Sequence, residues 1–316
     1  MQIPIFKTMK KVPGGLMVIP LFIGIAINTC FPYVLDIGGF TTELFKKGAQ
    51  PLIGLLLCCM GSQICIKSSK LSVAKGGVYV ISKFVVGFII AIAVGKIWGR
   101  EGVFGITPMV LMSAFSSINI GLYASLTDQF GDKDDVAAGA LIALTGGAFF
   151  TMVALGTSGL ADIPILSMIA VIVPVIVGFI LGNLDNDMRK FLGSGQNLLI
   201  PFYAFSLGAN MKFSDIIKAG FSGVVISIAV VIITGFIGYF LSGIFGPKKA
   251  VGASIGNTAG NQLATPLAIV AADSTLEPYL VLATAQIGTA IIITSILCPL
   301  LVRYLDKNNR KIEKVF

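Results

Sequence analysis

Two stretches of this sequence place polar side chains inside otherwise apolar runs, where they could bind an ion or a small molecule. Their polar members are Ser116, Ser117, Asn119, Asn257, Thr258, Asn261 and Gln262. Because such side chains bond to the backbone and form helices poorly, each stretch predicts a break in a membrane helix. Unwound backbone in a membrane lines cavities, where carbonyl groups attract cations and helix N-termini attract anions. The pair therefore predicts a binding site near the middle of the membrane.

A simpler structural role also fits the second stretch. Gly252, Gly256 and Gly260 are spaced four residues apart, which gives a helix a flat face for close packing. That role does not require Asn257 and Asn261. We therefore favour a binding site and keep helix packing as the alternative.

Further candidates lie outside the two stretches. Lys83 is in the middle of an apolar run, where it either reaches the membrane surface or meets an anionic substrate. Tyr123, Tyr203 and Phe202 could stack on a substrate, although an aromatic residue in a membrane helix more often serves packing or anchors the helix at the interface. Thr145 and Gln286 could hold an ion or bond to neighbouring helices. Asp128 is among the acidic residues nearest the predicted breaks.

The composition is typical of an integral membrane protein. Of 316 residues, 55% are hydrophobic and only 12% are charged, with a mean hydropathy of +0.92. Soluble helices need a charged face, and this chain has too few charges to supply it. The chain has no histidine, and its five cysteines lie in or beside apolar runs without metal-ligand spacing. We predict no enzyme activity, no cofactor and no metal other than a possible sodium ion.

Ten apolar runs are long enough to cross about 30 Å of hydrocarbon. They cover residues 13–31, 48–66, 74–98, 103–127, 135–158, 163–183, 195–211, 216–244, 248–272 and 277–302. The sequence therefore predicts an all-α membrane protein of about ten transmembrane helices. An even number of spans places both chain ends on the same side.

The positive residues indicate the orientation. Most of the 23 Lys and Arg residues fall on the side of the termini. Those on the opposite side are Lys46, Lys47, Lys96, Arg100, Lys212 and Lys218. Cytoplasmic loops carry the excess of positive residues, so both termini are predicted to be cytoplasmic, in a bacterial-type inner membrane. The positive residues lie in short loops rather than along one stripe, which argues against nucleic-acid binding.

The two halves of the chain resemble each other weakly. Laid over the first half, the second half places Gly208 on Gly61 and Asn261 on Asn119. Each half has five spans, an odd number, so the halves must be inverted, which is a signature of secondary transporters. The predicted units are residues 1–158, the inverted repeat 159–303 and a cytoplasmic tail 304–316. The breaks in helices 4 and 9 would then cross at the midplane.

Several motifs together resemble one family of permeases. They are PGGLM at 13–17, NIGLYAS at 119–125, GNLD at 182–185, LIPFYAFSLG at 199–208 and Ala264-Thr265-Pro266. This combination, over nearly the whole chain, is similar to the 2-keto-3-deoxygluconate permeases. The resemblance implies uptake of 2-keto-3-deoxygluconate, a sugar acid, by symport with protons. More distantly, the paired breaks resemble the bile acid and sodium symporter fold, which implies a panel of helices 1, 2, 6 and 7 and a core domain of helices 3–5 and 8–10.

We therefore expect a secondary transporter for 2-keto-3-deoxygluconate or a similar small hydroxylated carboxylate, coupled to protons. The candidates for substrate binding are Asn119, Gly121, Tyr123, Asn257, Asn261, Gln262 and Lys83. The candidates for ion coupling are Ser116, Ser117, Thr145, Thr258, Gln286 and Asp128. Neither break contains an acidic side chain, so sodium coupling through oxygen ligands is the alternative, and a passive anion channel is a second one. The expected partners are the substrate, the coupling ion and the lipid bilayer.

Overall fold

A computed structural model describes residues 4–12, 15–64, 69–246 and 249–313. Its α-helices, numbered along the chain, are α1 (Ile5–Lys11), α2 (Gly15–Cys30), α3 (Gly39–Phe45), α4 (Ala49–Gly61), α5 (Lys70–Trp98), α6 (Pro108–Ser116), α7 (Ile120–Phe130), α8 (Lys133–Ile142), α9 (Phe149–Thr157), α10 (Ile165–Leu184), α11 (Asn186–Gly208), α12 (Phe213–Ala229), α13 (Gly235–Ser242), α14 (Thr265–Ala272) and α15 (Leu280–Glu313). Residues 13 and 14 of the first motif, 65 and 66 of the second predicted span, 248 of the ninth and 314–316 of the predicted tail lie outside the described ranges.

The helices agree with an all-α, multi-pass membrane protein. Five stretches of the described chain are long and apolar enough to cross a bilayer: Lys70–Trp98, Pro108–Phe130, Ile165–Leu184, Phe213–Phe245 and Ser274–Asn309. Helices α2 and α4 are apolar but shorter. Within the described residues, no β-strand accompanies them, and the extended backbone pairs only in an isolated bridge between Val103 and Ile106.

Helices α2, α4, α10 and α11 pack against one another through glycines. A Cβ atom at Gly178 of α10 would collide with the α4 backbone, and one at Gly61 of α4 would collide with the α10 backbone. A Cβ atom at Gly208 of α11 would likewise collide with the α2 backbone. Glycine lets helix backbones approach closely in a membrane, where dispersion replaces the hydrophobic effect as the source of association. These four helices form one closely packed group.

The remaining long helices form a second group around α5 and α15. Helix α5 packs on α6 and α8, whereas α15 packs on α12 and on the 3₁₀ turn Ala250–Ile255. A short π-helical segment, Val230–Thr234, joins α12 to α13 beside that turn. Its Thr234 hydroxyl lies 3.4 Å from the Ile255 carbonyl oxygen. Single π turns often occur at functional sites.

Three helical passages in the second group are interrupted. Helix α6 is separated from α7, and the turn Ala250–Ile255 is separated from the turn Gly260–Ala264 and α14, as the sequence predicts. A third interruption, between α8 and α9, differs from the prediction of one continuous span over residues 135–158. There Gly147 has a φ of +95°, a conformation that favours glycine and stops the helix.

Ion pairs join three parts of the second group near the start of α8. Asp132, the N-cap of α8, pairs with Lys75 of α5 at 3.1 Å and with Lys249. Lys75 also pairs with Asp135 at 2.7 Å. Burial raises the pKa of the Asp132 carboxyl, but bonds from Lys249, the Asp135 amide and Lys75 outweigh that effect. They hold this pKa well below its usual range.

We expect Asp132→Asn to lower the melting temperature of the detergent-purified protein near neutral pH. The asparagine keeps a helix cap but loses the charge that faces the two lysines. A carboxylate with a depressed folded-state pKa stabilises the fold above its ordinary pKa of about 4 and loses that effect as the pH falls toward the folded value. The difference from wild type should therefore shrink on acidification.

The matched control for this prediction is Asp162→Asn, because Asp162 is exposed and outside the ion pairs found among the described residues. It should leave the melting temperature unchanged across the same pH range. If the melting temperature of Asp132→Asn stays below that of wild type by the same amount as the pH falls, the Asp132 charge has no role in stability.

Candidate binding site

The first interruption is defined by helix caps. The Thr107 side chain accepts a hydrogen bond from the Val110 amide at 3.3 Å and starts α6. Ser117 is extended and ends that helix, and the Asn119 side chain accepts from the Leu122 amide at 3.1 Å to start α7. Ser, Thr and Asn are favoured caps because their oxygens satisfy unpaired first-turn amides. The C-terminus of α6 and the N-terminus of α7 therefore lie close together.

The second interruption follows the turn Ala250–Ile255. A Cβ atom at Gly256 would lie 2.9 Å from the Cα atom of Gly235 on α13, so close approach of the two backbones requires glycine there. The next residue, Asn257, is fully buried, and its Nδ2 donates to the Ser254 carbonyl at 2.5 Å. The glycine therefore lets the unwound backbone lie against α13, and the asparagine bonds this backbone to the preceding turn.

Hydrogen bonds link the two interruptions directly. The backbone amide of Asn119 donates to Asn257 Oδ1 at 2.5 Å, and the backbone amide of Ala259 donates to Ser117 Oγ at 3.2 Å. Each unwound segment thus satisfies a backbone amide of the other. Inside a membrane such amides have no water to bond with, so this exchange stabilises both breaks.

The third interruption supports the other two. Thr145 Oγ1 accepts from the Ile118 amide at 3.1 Å. Gln262 Nε2 donates to the Thr145 and Gly147 carbonyls at 3.3 and 3.1 Å. Thr265 Oγ1 in turn donates to Gln262 Oε1 at 2.5 Å. Both N–H groups of the Gln262 amide therefore hold the third interruption against the second.

Lys83 connects the first and second interruptions from the middle of α5. Its side chain is 1% exposed. The ammonium donates to the carbonyl oxygens of Ser117 at 2.7 Å, Ile255 at 2.9 Å and Asn257 at 2.6 Å. Lys83 therefore does not reach the membrane surface.

A cavity of about 630 Å³ lies between the α2, α4 and α11 helices and the two interruptions. We call it the first cavity. Its polar lining residues are Asn119, Ser125, Gln196, Tyr203, Asn261 and Ser295. Met9 and Val12 also line it, so it extends toward the N-terminal end of the chain. It is large and polar enough to hold a small molecule with several hydrogen-bonding groups.

The N-terminal turn of α7 faces the first cavity. Ile120, Gly121 and Leu122 all line it. A Cβ atom at Gly121 would have no neighbour nearer than 3.5 Å, so open space surrounds this turn. The first amides of a helix lack partners within the helix and carry the positive end of its dipole. The arrangement suits a carboxylate or another anion.

A second cavity, of about 420 Å³, lies toward the other end of α4. Gln50 and Ile53, near the start of α4, line the second cavity, whereas Met60, near its end, lines the first. Leu56 and Asn261 line both cavities. Asn261 Nδ2 lies 3.5 Å from Met60 Sδ. Leu56 and Asn261 therefore lie between the two cavities, and Met60 lies beside Asn261 on the side of the first cavity; we call these three the barrier residues.

The predicted substrate-binding residues fall into two groups. Asn119, Gly121 and Asn261 line the first cavity. The others are buried in the structure behind it: Tyr123, Asn257, Gln262 and Lys83. The Tyr123 hydroxyl, for example, donates to the Asp135 carbonyl at 2.9 Å.

The predicted ion-coupling residues do not form one cluster. The hydroxyls of three of them brace the interruptions, namely Ser117, Thr145 and Thr258. Ser116 Oγ is buried and has no hydrogen-bond partner among the residues that the structure describes. The Gln286 side chain donates to the Gly105 carbonyl, between α5 and α6, at 3.0 Å. Asp128 is exposed near the end of α7. Among the described residues, no group of three or more His, Cys, Asp or Glu side chains could hold a metal ion.

Three polar lining residues were not among the sequence candidates: Ser125, Gln196 and Ser295. On α11, Gln196 shares a helix face with Ile200 and Tyr203, the positions four and seven residues later, and all three line the cavity. An amide in an otherwise apolar stripe is the signal that could have identified Gln196. The two serines offer no comparable signal, because serine is common in membrane helices.

Comparisons with known proteins give a consistent result. The family model described as 2-keto-3-deoxygluconate permease matches residues 6–311. A 2-keto-3-deoxygluconate permease 1 of Salmonella typhimurium is 43% identical over 305 residues, which are 96% of each chain. The 2-keto-3-deoxygluconate permease of Bacillus subtilis is 34% identical over 307 residues, 95% of this chain and 93% of the relative. One from Escherichia coli is 33% identical over 303 residues, 93% of this chain and 92% of the relative.

Proposed function

Because the chain belongs to the 2-keto-3-deoxygluconate permease family, we propose that it imports 2-keto-3-deoxygluconate, or a similar small hydroxylated carboxylate, together with a proton. The protein is a membrane transporter and not an enzyme. The name of the relatives suggests the substrate, and the geometry of the first cavity suggests how the substrate is held.

One observation carries this proposal: the first cavity brings the N-terminus of α7 together with Asn119 and Asn261. The substrate carboxylate binds at the α7 N-terminus, where the Ile120 and Gly121 amides, which Asn119 does not cap, and the helix dipole favour negative charge. The two amide side chains bind sugar hydroxyls, because an amide can donate and accept hydrogen bonds. Gln196 and Ser295 contact the remaining hydroxyls from the other walls of the cavity.

A proton is proposed as the coupling ion in preference to sodium. The carbonyl groups between the interruptions already surround the Lys83 ammonium. A second cation at the same place would be repelled at short range in a medium of low dielectric constant. With Lys83 held as a cation, the exposed Asp128 is the candidate for the proton site, and sodium coupling through other oxygen ligands is the alternative.

The proposed architecture has ten membrane crossings in two inverted halves. Gly61 and Gly208, which match in the weak sequence repeat, support this because each packs on another helix of the first group. Gly61 of the second crossing packs on the sixth, and Gly208 of the seventh packs on the first. In this proposal α2, α4, α10 and α11 form the panel, and the other crossings form the core domain.

Alternating access would come from movement of the core domain against the panel. The barrier residues favour a carrier over a passive channel, because they stand between two cavities that approach α4 from its two ends. A carrier opens one cavity at a time, whereas a channel would need a continuous path. The proposed location is the inner membrane, with both termini cytoplasmic.

The proposal is tested in proteoliposomes with labelled 2-keto-3-deoxygluconate. Unlabelled substrate inside the vesicles should accelerate entry of the labelled substrate, which a carrier does and a channel does not. A pH gradient, acidic outside, should then drive accumulation in sodium-free buffer, and a sodium gradient alone should not. Accumulation that requires sodium would replace proton coupling by sodium coupling. Equilibration without acceleration or accumulation would indicate a channel.

The topology makes a separate prediction. A reporter fused after Phe316 should be cytoplasmic, and one inserted near Asp162, between α9 and α10, should be outside. The excess of Lys and Arg on the side of the termini is the physical reason. Both reporters on the same side would remove an odd number of crossings between them and exclude the inverted repeat.

A further inference from the structure

The ammonium of Lys83 lies where three backbone carbonyl groups converge. Its distances to the oxygens of Ser117, Ile255 and Asn257 are 2.7, 2.9 and 2.6 Å, which is the range of charge-assisted hydrogen bonds. An ammonium has three N–H donors, so all of them are used. Lys83 is also absent from the lining of the first cavity. The group is therefore committed to the protein backbone and not to the substrate.

The three carbonyls form the kind of cluster that binds cations in transporters. Ser117 directly follows α6, and Ile255 is the last residue of the turn Ala250–Ile255. Both carbonyls thus lie at the C-terminal ends of helical segments, where the dipole is negative. Discontinuous membrane helices use such ends and the adjoining unwound carbonyls to coordinate Na⁺ or H⁺. Here Lys83 supplies the positive charge.

The described residues contain no ionic partner for Lys83. All the salt bridges among them involve other basic side chains. A buried charge without compensation is costly, so the three carbonyl dipoles must offset its desolvation. Gly87, one turn further along α5, allows the close approach of α6, since a Cβ atom there would lie 3.1 Å from Phe115 Cβ. This packing brings the end of α6 within reach of Lys83.

We propose that the Lys83 ammonium takes the place of a bound coupling cation, as a covalently attached cation that holds the two interruptions together and makes transport independent of sodium. Lys83 is a positioning residue in this mechanism. By fixing the Ser117 and Asn257 carbonyls, it fixes the neighbouring Asn119 and the N-terminus of α7 at the cavity. The inference rests on the proposed function in that it concerns transport of the same organic acid.

The test is substrate counterflow by Lys83→Ala, with and without added small cations. Removal of the ammonium takes the charged donor away from all three carbonyls, so counterflow should fall by at least about tenfold, as expected for loss of several charged hydrogen bonds. Sodium or methylammonium chloride should restore a large part of it by entering the vacated space. Tetramethylammonium, which has no N–H donor and is larger, should not. Wild type should respond to none of these salts.

Counterflow is the appropriate assay because it needs no ion gradient. Methylammonium collapses pH gradients, but that effect does not enter an exchange measurement. The matched control is Lys96→Ala, since Lys96 lies on the same helix and is exposed. It should behave like wild type in every salt. The same cations should raise the melting temperature of detergent-purified Lys83→Ala and leave that of wild type unchanged.

Three outcomes would overturn the proposal. The first is a Lys83→Ala protein whose counterflow and melting temperature respond to no cation. The second is full counterflow without any cation but loss of pH-driven accumulation, which would make Lys83 the proton carrier instead. The third is sodium-dependent counterflow in wild type. If Lys83→Ala does not fold, Lys83→Ser, which also leaves the space of the ammonium vacant, provides the same tests. Failure of pH-driven uptake in wild type would refute proton symport while leaving the cation response of the variants to be measured independently.

Discussion

Asn119→Ala and Asn261→Ala are each expected to abolish transport of 2-keto-3-deoxygluconate while leaving the protein inserted and folded. Both side chains line the first cavity, and they belong to the two interruptions that face each other across the site. Loss of either amide removes hydrogen bonds to a substrate hydroxyl, and a binding group left unpaired in the cavity adds a desolvation cost. The measurement is counterflow in proteoliposomes, with monodispersity and melting temperature as checks of folding.

The two variants differ in their structural cost. Asn119 also caps α7, so its replacement by alanine removes an N-cap worth about 0.5–2 kcal/mol. Asn119→Ser keeps a capping oxygen but not the amide, and it should restore stability without restoring transport. Among the described residues, the Asn261 side chain has a hydrogen-bond contact only with Met60 Sδ, so Asn261→Ala should retain the melting temperature of wild type.

Asn28→Ala is the matched control for both variants. Its amide bonds to the Met211 carbonyl at 2.9 Å, outside both cavities, so transport should continue. Full transport by Asn119→Ala and Asn261→Ala would contradict the proposal and move the substrate away from the crossing of the interruptions. If all three variants fail to fold, the fold itself is sensitive to the loss of any of these amide side chains.

The two predicted interruptions could be recognised from sequence because their causes are local. Gly256, Asn257 and Asn119 are poor helix formers, and their side chains offer alternative bonds to the backbone. The third interruption has a different cause. Its unwound backbone is held by Gln262, more than a hundred residues away, which donates to the Thr145 and Gly147 carbonyls. Such a tertiary bond leaves no periodicity or composition signal in residues 135–158.

The environment of Lys83 likewise depends on tertiary contacts that the local sequence does not reveal. The sequence suggested a membrane surface or a substrate cavity, whereas its three acceptors come from segments 34, 172 and 174 residues away. Only the convergence of two unwound segments creates that cluster. Gln196 was missed for a related reason, since the face that α11 turns to the cavity depends on its packing against α2 and α4. Residue type predicted the chemistry, and tertiary packing decided which atoms face the substrate.

Gly178→Ala is expected to destabilise the protein strongly, although it adds only one methyl group. A Cβ atom at Gly178 would overlap the Cys58 carbonyl oxygen of α4, so α4 and α10 would have to separate. Overpacking of this kind typically costs about 1–3 kcal/mol, and here the obstructing atom is backbone, which cannot move aside like a flexible side chain. The melting temperature in detergent should fall by several degrees, and transport should fall with it if a rigid panel is required for movement of the core domain.

Gly220→Ala is the matched control, because Gly220 lies in α12 and a Cβ atom there would have no neighbour within 4 Å. Alanine is favoured over glycine by about 1 kcal/mol inside a helix, so this variant should melt at or above the temperature of wild type. The same substitution would thus act in opposite directions at the two positions.

Equal melting temperatures for the two variants would mean that α4 and α10 do not approach as closely as Gly178 indicates. The α4 and α10 pair would then be as free to slide as other helices, because glycine-mediated contact is what would make the proposed panel rigid.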